Sequence, residues 1–456
     1  MLAELITRIR RAPRRAPCPH CGRLGRRKRL LHRRVRTLAY HRVAWLEVTY
    51  AEYRARCDCC KYFRTWPLDV PQKADYDATV RQAVLDRLLR DRLNVEQTRT
   101  AMQRDFLVTL SEGLVYDCLR WQVARLDLGQ HRRLVRQRFS GTLCVDELHL
   151  GAYTLLLASD PLADLPVGFA LAGANDQDHM RRFLNNLARW GLQPEVVVSD
   201  GSNLYPELLA EIWPDARHQL CIFHLLRELL EKVLDAVRRL RRAQARRGRA
   251  GRKRRRGRPS NKQQARRRQE GPTAKEKAAF LWKHRFLIVK RAAKLTRQEW
   301  DDLVRMFAYL PELRTPWYFS QDLYRLLDDS KTLRVARWRY TLLRHDPKYQ
   351  EVRELVEALD LLAEPKLTKM MGWVEQGSGE QVRTNNHVER MNRRLRFAEK
   401  VRYRWRKRRW VVRWVVLLLD VCWQQAAEAA AANTRAKPSG ERSPPNSGAQ
   451  RKKKAA

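Results

Sequence analysis

Gly141-Thr142-Leu143-Cys144-Val145-Asp146 marks the point where the pattern of the chain changes. Before it, apolar residues recur at helical spacing. From it onward they come in short blocks that read as strands over Thr142–Asp146, Tyr153–Ser159 and Val167–Leu171. A helix is expected over Asp178–Trp190, a strand over Glu195–Ser199, a helix over Leu204–Ile212 and a strand over Gln219–Phe223. Three consecutive strands followed by strand–helix alternation place residues 140–228 in the α/β class. Two of these strands end in carboxylates. Asp146 closes the first, and Asp200 follows the fourth in Val196-Val197-Val198-Ser199-Asp200-Gly201, where the glycine is expected to permit a sharp turn.

A third carboxylate, Glu389, sits in the helix-like stretch Asn385-Asn386-His387-Val388-Glu389-Arg390. Any one of these acids alone would read as a solvated strand end or helix surface. Together they suit a two-metal phosphodiester site, because hard divalent cations prefer oxygen ligands and a pair can clamp the attacking and leaving oxygens. Arg390, Arg393, Arg394 and Arg396 follow Glu389 on the same stretch and are placed to offer phosphate contacts. Glu147 directly follows Asp146, but strand alternation sends the two side chains to opposite faces and favours Asp146.

The 456 residues carry 94 Lys and Arg against 50 Asp and Glu, a formal charge of +44, which selects a polyanionic partner. A hydrophobic content of 44% is enough for folded cores and excludes a wholly disordered polycation. Nine cysteines, five of them between Cys18 and Cys60, point to a reducing compartment and a metal site rather than a disulfide framework. The first fifteen residues lack the apolar core of a secretory signal, and no run of roughly 18 apolar residues exists. No membrane partner is expected.

Cys18-Pro19-His20-Cys21 and Cys57-Asp58-Cys59-Cys60 form a CxxC…CxxC pair, read as a zinc ribbon over residues 15–72. Cys18, Cys21, Cys57 and Cys60 are the expected ligands of one structural Zn²⁺, with Cys59 as a competitor. A strand is expected over His41–Tyr50, partnered by Tyr53–Cys57. Residues 73–130 read as helical, and the capped start at Ser111 after Phe106-Leu107-Val108-Thr109-Leu110 suggests a helix-turn-helix. Its candidate recognition helix runs from Ser111 to Arg120; an ordinary helical bundle is the plainer reading.

Residues 229–375 interrupt the α/β domain as a helical insertion, and residues 376–425 return to it with the Glu389 helix. Within the insertion, 238–277 is a basic low-complexity stretch expected to be flexible. It holds Arg256-Gly257-Arg258-Pro259, which resembles an AT-hook core able to place Arg256 and Arg258 in a narrow minor groove. Val411–Leu419 reads as core, and residues 426–456 read as a disordered tail.

The strand order resembles an RNase H-like fold, in which the strands carrying Asp146 and Asp200 are neighbours. With Val145-Asp146-Glu147, Ser199-Asp200-Gly201 and Asn385-Asn386-x-x-Glu389-Arg390, residues 15–425 resemble a DDE-type insertion-sequence transposase with an N-terminal zinc ribbon and helix-turn-helix. Mutator-like transposases, whose RNase H-like domain is split by a helical insertion before the glutamate, are also similar. The resemblance implies that Asp146, Asp200 and Glu389 hold two Mg²⁺ or Mn²⁺ ions used to activate water for cutting element ends, after which the freed 3′-OH attacks target DNA. It implies a homodimer or larger assembly on double-stranded DNA, in the cytoplasm and nucleoid of a prokaryotic cell. Cys221-Ile222-Phe223-His224 resembles the Cys-x-x-His signature of some such families, so Cys221 and His224 become candidates for positioning substrate, against a plain packing role. Two competing classes are a DNA-binding regulator that has lost catalysis and a structure-specific nuclease.

Overall fold

The computed structural model describes residues 6–39, 42–67, 70, 74–202, 204–247, 272–376, 381–401 and 407–436. It divides into two compact units, one made of the residues up to His131 together with those from Arg394 on, the other of Arg132–Arg393.

The first unit begins with a sheet of β1 (Ile6–Arg11), β2 (Arg15–Pro17), β3 (Leu24–Ala39), β4 (Arg42–Arg54) and β5 (Tyr62–Arg64). Its order is β1-β4-β3-β2, with β5 also on β4. The strand expected over His41–Tyr50 therefore runs on through Tyr53 and Arg54, and its partner is Leu24–Ala39, paired antiparallel from Arg26↔Arg54 to Ala39↔Arg42. Arginines on both faces of β3 conceal its alternation, Arg33 beside Val35 and Arg34 and Arg36 opposite; Val35 packs with Leu46, Val48 and Val70.

Three helices follow, α1 (Ala78–Leu89), α2 (Val95–Phe106) and α3 (Glu112–Arg125). Each starts on a side-chain cap: Asp77 accepts from the Thr79 and Val80 amides, Asn94 forms a capping box with Gln97, and Ser111 accepts from the Leu114 amide. Leu107 closes α2 in the left-handed region at φ 58°, turning the chain toward α3. α1 and α3 bury Val84, Leu85 and Leu88 on one side and Val115, Cys118 and Leu119 on the other, and Arg81 of α1 reaches Asp117 of α3 at 2.9 Å.

The second unit opens with the end of α4 (Leu128–Arg138), then β6 (Thr142–Leu150), β7 (Tyr153–Asp160), β8 (Leu165–Ala172), α5 (Gln177–Arg189), β9 (Val196–Ser199), α6 (Pro206–Ile212) and β10 (Arg217–Leu220). The sheet order is β10-β9-β6-β7-β8. β6, β7 and β8 are antiparallel neighbours, whereas β9 lies parallel to β6 and β10 parallel to β9. Continuous apolar runs in β6 and β9 reflect burial on both faces. α5 covers the sheet through Met180, Phe183, Leu184 and Leu187. Gly168 of β8 permits that approach, since a Cβ there would meet Leu187 Cδ2 at 2.9 Å.

The expected strand Gln219–Phe223 stops at Leu220, and α7 (Ile222–Arg247) begins almost at once. It enters a helical region of α8 (Ala274–Lys283), α9 (Arg297–Tyr309), α10 (Arg314–Asp329), α11 (Leu333–His345), α12 (Pro347–Gln350), α13 (Arg353–Leu361) and α14 (Lys366–Met370). These helices share a core separate from that of the sheet, built around Leu229, Val233, Leu303, Phe319, Leu326 and Leu359. The stretch expected to be flexible is thus helical at both ends, through Arg247 and from Ala274; Arg256 and Arg258 lie outside the described residues.

α15 (Asn386–Val401) carries Glu389, and α16 (Arg408–Ala436) follows. Val411, Val415, Leu417 and Leu419 of α16 are buried, in line with the core reading. By its packing α16 joins the first unit, with the Trp410 ring 5.1 Å from Tyr116 and Trp423 stacked on His131 at 4.3 Å, so the expected catalytic segment 376–425 divides at Arg394. The helix also runs past the expected start of the tail at 426; residues 437–456 lie outside the described residues. No helix among the described residues is long and apolar enough to cross a membrane.

Candidate active site

β6 pairs with β9 only as far as Cys144↔Val198. Asp146 and Glu147 lie just past that last pair, where β6 has β7 alone as a neighbour and an open edge on the other side. Asp200 leaves β9 at the same level. One carboxylate oxygen from each of Asp146, Glu147 and Asp200 lies within 4.8 Å of the others. Alternation sends Glu147 to the opposite face, yet an oxygen of its longer side chain lies beside the two aspartates. Gly201 does not make the turn, since its φ is not positive and a Cβ there would touch nothing. The Asp200 carboxylate itself turns the chain by accepting from the Ser202 amide at 3.0 Å.

Burial pushes Asp146 up to about 6, reinforced by the charges of Asp200 and Glu389 and opposed by a hydrogen bond from Asn392. Burial likewise pushes Glu147 up to about 7, with Asp200 and Asp146 adding to the shift. A side-chain hydrogen bond from the fully buried Tyr205 hydroxyl opposes that shift of Glu147, and Oε1 of Glu389 lies 3.7 Å from His224 Nδ1. Acids crowded together and pushed up by burial are costly unless a cation compensates them, so the donor set fits hard divalent metal ions.

α15 is held to the sheet by side chains that sequence reading passed over. Asn392, one turn beyond Glu389, donates Nδ2 to Asp146 Oδ2 at 2.7 Å. Asn385 donates to the Val145 carbonyl at 2.9 Å, and its amide reaches Cys221 Sγ at 3.3 Å. His387 Nδ1 meets Ser159 Oγ at 2.9 Å while its Nε2 meets Asp164 Oδ1 at 2.7 Å. All three residues are buried. Their signal was present in the sequence as three polar residues interleaved with apolar Val388 and Met391 around the glutamate, a pattern that a solvated helix would not need.

Cys221 and His224 do reach the site. The Cys221 sulfur, a His224 ring nitrogen and a Glu389 oxygen lie within 4.8 Å of one another, with His224 Nδ1 3.7 Å from Glu389 Oε1. The adjacent Cys221 sulfur, against an opposing desolvation, and then the charges of Glu389 and Asp200 push His224 up to about 9. Arg390 lies 3.6 Å from Asp164, and Arg393 is exposed on the same helix.

In the first unit the five clustered cysteines converge. Cys18, Cys21, Cys57 and Cys59 form a mutually close set, and Cys60 Sγ lies 3.5 Å from Cys18 Sγ. Cys59 sits 3.0 Å from Cys57 and 3.3 Å from Cys21, so it competes directly with the expected Cys60. Four or five soft donors in one knot suit a tetrahedral zinc ion. The His20 backbone amide leads the effects that pull Cys18 down to about 6, toward the thiolate that such a site requires. Arg120 lies half-exposed on α3, 3.0 Å from Asp117.

Residues 143–408, more than half of the chain, match the sequence profile of a transposase family, the DDE transposases of the ISL3 type. Among solved structures, the Drosophila P element transposase strand transfer complex aligns at a TM-score of 0.38 and 11% identity, over 77% of this chain and 92% of that one. No curated protein matches the sequence significantly.

Proposed function

The chain belongs to the DDE transposases of the ISL3 type, and from that premise we propose that Asp146, Asp200 and Glu389 are its catalytic carboxylates, sharing two Mg²⁺ or Mn²⁺ ions. Ions held there would supply Lewis-acid polarisation of the scissile phosphate and favour an attacking oxygen nucleophile. The rest is work for the chain itself. Asn392 fixes the orientation of Asp146, while Asn385 and His387 hold the Glu389 helix against β6 and β7. His224 and the guanidinium groups of Arg390 and Arg393 meet the phosphates of the strand to be cut. The reaction read from this site is cleavage at element ends followed by transfer of the 3′-OH into target DNA.

The five-stranded sheet of the second unit, with three antiparallel strands and two parallel ones beside β6, we read as an RNase H-like core interrupted by the helical region from α7 to α14. The cysteine knot is read as a one-zinc ribbon, using Cys18, Cys21 and Cys57 with Cys59 or Cys60. α2, the Leu107 turn and α3 are read as the helix-turn-helix that recognises element ends, with Arg120 among its contacts. The basic segment holding Arg256 and Arg258 adds affinity for any duplex. The protein is taken to act on nucleoid DNA as a dimer or larger assembly.

The observation that carries this proposal is the convergence of Asp146, Glu147 and Asp200, with Asp146 tied by Asn392 to the helix of Glu389. The test is incubation of purified protein and Mg²⁺ with a labelled duplex carrying an element end. End cleavage and joining are expected for the parent and not for Asp146→Asn. A parent that binds such duplexes without cutting them in Mg²⁺ or Mn²⁺ would instead be the DNA-binding regulator.

A further inference from the structure

The sheet of the first unit has two unlike faces. Ile9, Val35, Leu46 and Val48 turn to one side, where Trp66 and Val70 cover them. The strand register fixes what lies on the other. Arg8, Glu47 and Arg34 share one row across β1, β4 and β3, and Arg10, Thr49 and His32 share the next. These residues line a groove of about 620 Å³. Trp45 sits one row further along, with the Arg34 guanidinium 4.5 Å over its ring.

An ordinary solvated sheet face mixes charges of both signs. Here Glu47 is the one acid among Arg8, Arg10 and Arg34, and it is already engaged by Arg8 at 3.0 Å and approached by Arg34 at 4.0 Å. Arg10 is exposed and has no ionic partner among the described residues. Cations two residues apart on a strand repeat at about 6.8 Å, and neighbouring strands lie about 4.8 Å apart, so the face is a two-dimensional array of donors rather than a single charge. Its fixed row of guanidinium groups suits phosphate oxygens, which arginine meets in bidentate fashion.

We propose that this open face of β1, β4 and β3, through Arg8, Arg10 and Arg34, binds the phosphate backbone of duplex DNA without reading its sequence. This gives the cysteine-knotted sheet a contact role separate from that of α3. The proposal rests on the transposase reading for its partner, but it does not depend on the carboxylate site.

The experiment measures equilibrium binding of the full-length protein to two duplexes of equal length, one with an element end and one scrambled, without Mg²⁺. Salt is varied between about 50 and 200 mM. Arg8→Gln/Arg10→Gln/Arg34→Gln should lower the slope of log K against log salt by about 2 to 3, since each phosphate contact contributes about 0.9. Both duplexes should lose affinity equally. Zinc content verifies that the sheet has folded, and the single variant Arg10→Gln, which breaks no ion pair, should lower the slope by about 1. The control Arg297→Gln/Arg325→Gln/Arg353→Gln removes the same charge from exposed helical positions in the second unit and should leave the slope nearly unchanged. An unchanged slope in the triple variant and Arg10→Gln overturns the proposal. So does an equal fall in the control, or a loss confined to the element-end duplex. A parent that binds DNA but never cuts it would count against the catalytic reading alone.

Discussion

Carboxylates that crowd together out of water cost stability, and Asp146 and Glu147 show that cost in their raised pKa values of about 6 and about 7. A carboxyl whose pKa is higher folded than unfolded supports the fold at low pH and loses that support as pH rises from about 4 through the folded value. Glu147→Gln should therefore raise the melting temperature at pH 8 without Mg²⁺ and change it little at pH 4, as thermal melts at the two pH values would reveal. In catalysis the balance reverses. Asp146→Asn, Asp200→Asn and Glu389→Gln should each lose end cleavage by on the order of 10³-fold or more, several kcal/mol of barrier, while DNA binding persists. Parental cutting by any of the three would remove that residue from the site. Asn392→Ala should slow cleavage less than Asp146→Asn, because it frees Asp146 without removing it. The two aspartates were legible because each follows an apolar run, residues 143–145 within β6 and 196–198 in β9, although β6 continues past Asp146 to Leu150. Glu147 was not, because alternation sends it to the face opposite Asp146, and a one-residue pattern does not show how far a glutamate side chain reaches. Asn385, His387 and Asn392 were hidden for a different reason: their partners lie more than two hundred residues away in sequence.

At the level of elements, caps and apolar runs were the readable signals. Ser111 marked the start of α3 correctly, and Ser111→Ala should cost about 1 kcal/mol in denaturant unfolding. If α3 is the reading helix, the same change should also blur discrimination between element-end and scrambled duplexes. β3 escaped notice because arginines interrupt both of its faces, so its period of two is not carried by apolar residues. The clamp on α15 makes a sharper prediction. His387 spends both ring nitrogens on Ser159 and Asp164, so His387→Ala should cost about 1–3 kcal/mol of stability and reduce cleavage, with DNA affinity unaltered. Full cleavage by a destabilised His387→Ala protein would show that the helix finds its place without the clamp.

For the whole molecule, composition foretold the partner but not the arrangement. A charge of +44 says that the chain meets a polyanion; it does not say that Arg238–Arg247 is helical or that the basic α16 buries an apolar face in the first unit. Deleting 248–271, which spares α7 and α8, should weaken binding to every duplex and flatten its salt dependence while preference for element ends survives. Lost preference at an unchanged slope would assign the segment to recognition. Metal analysis of the purified chain should find about one zinc, retained in Cys59→Ser or in Cys60→Ser but not in Cys57→Ser.

α7 starts beside Cys221, holds His224 in its first turn, and continues unbroken for 26 residues into the core of the helical region. At 1.5 Å per residue that rod is about 39 Å long. A tilt of about five degrees at its near end sweeps the far end through roughly 3 Å, and a push on the far end is returned to His224 with the same gearing. The helical region between Asp200 and Glu389 is thus continuous, through one rod, with the turn that sets His224 beside Glu389.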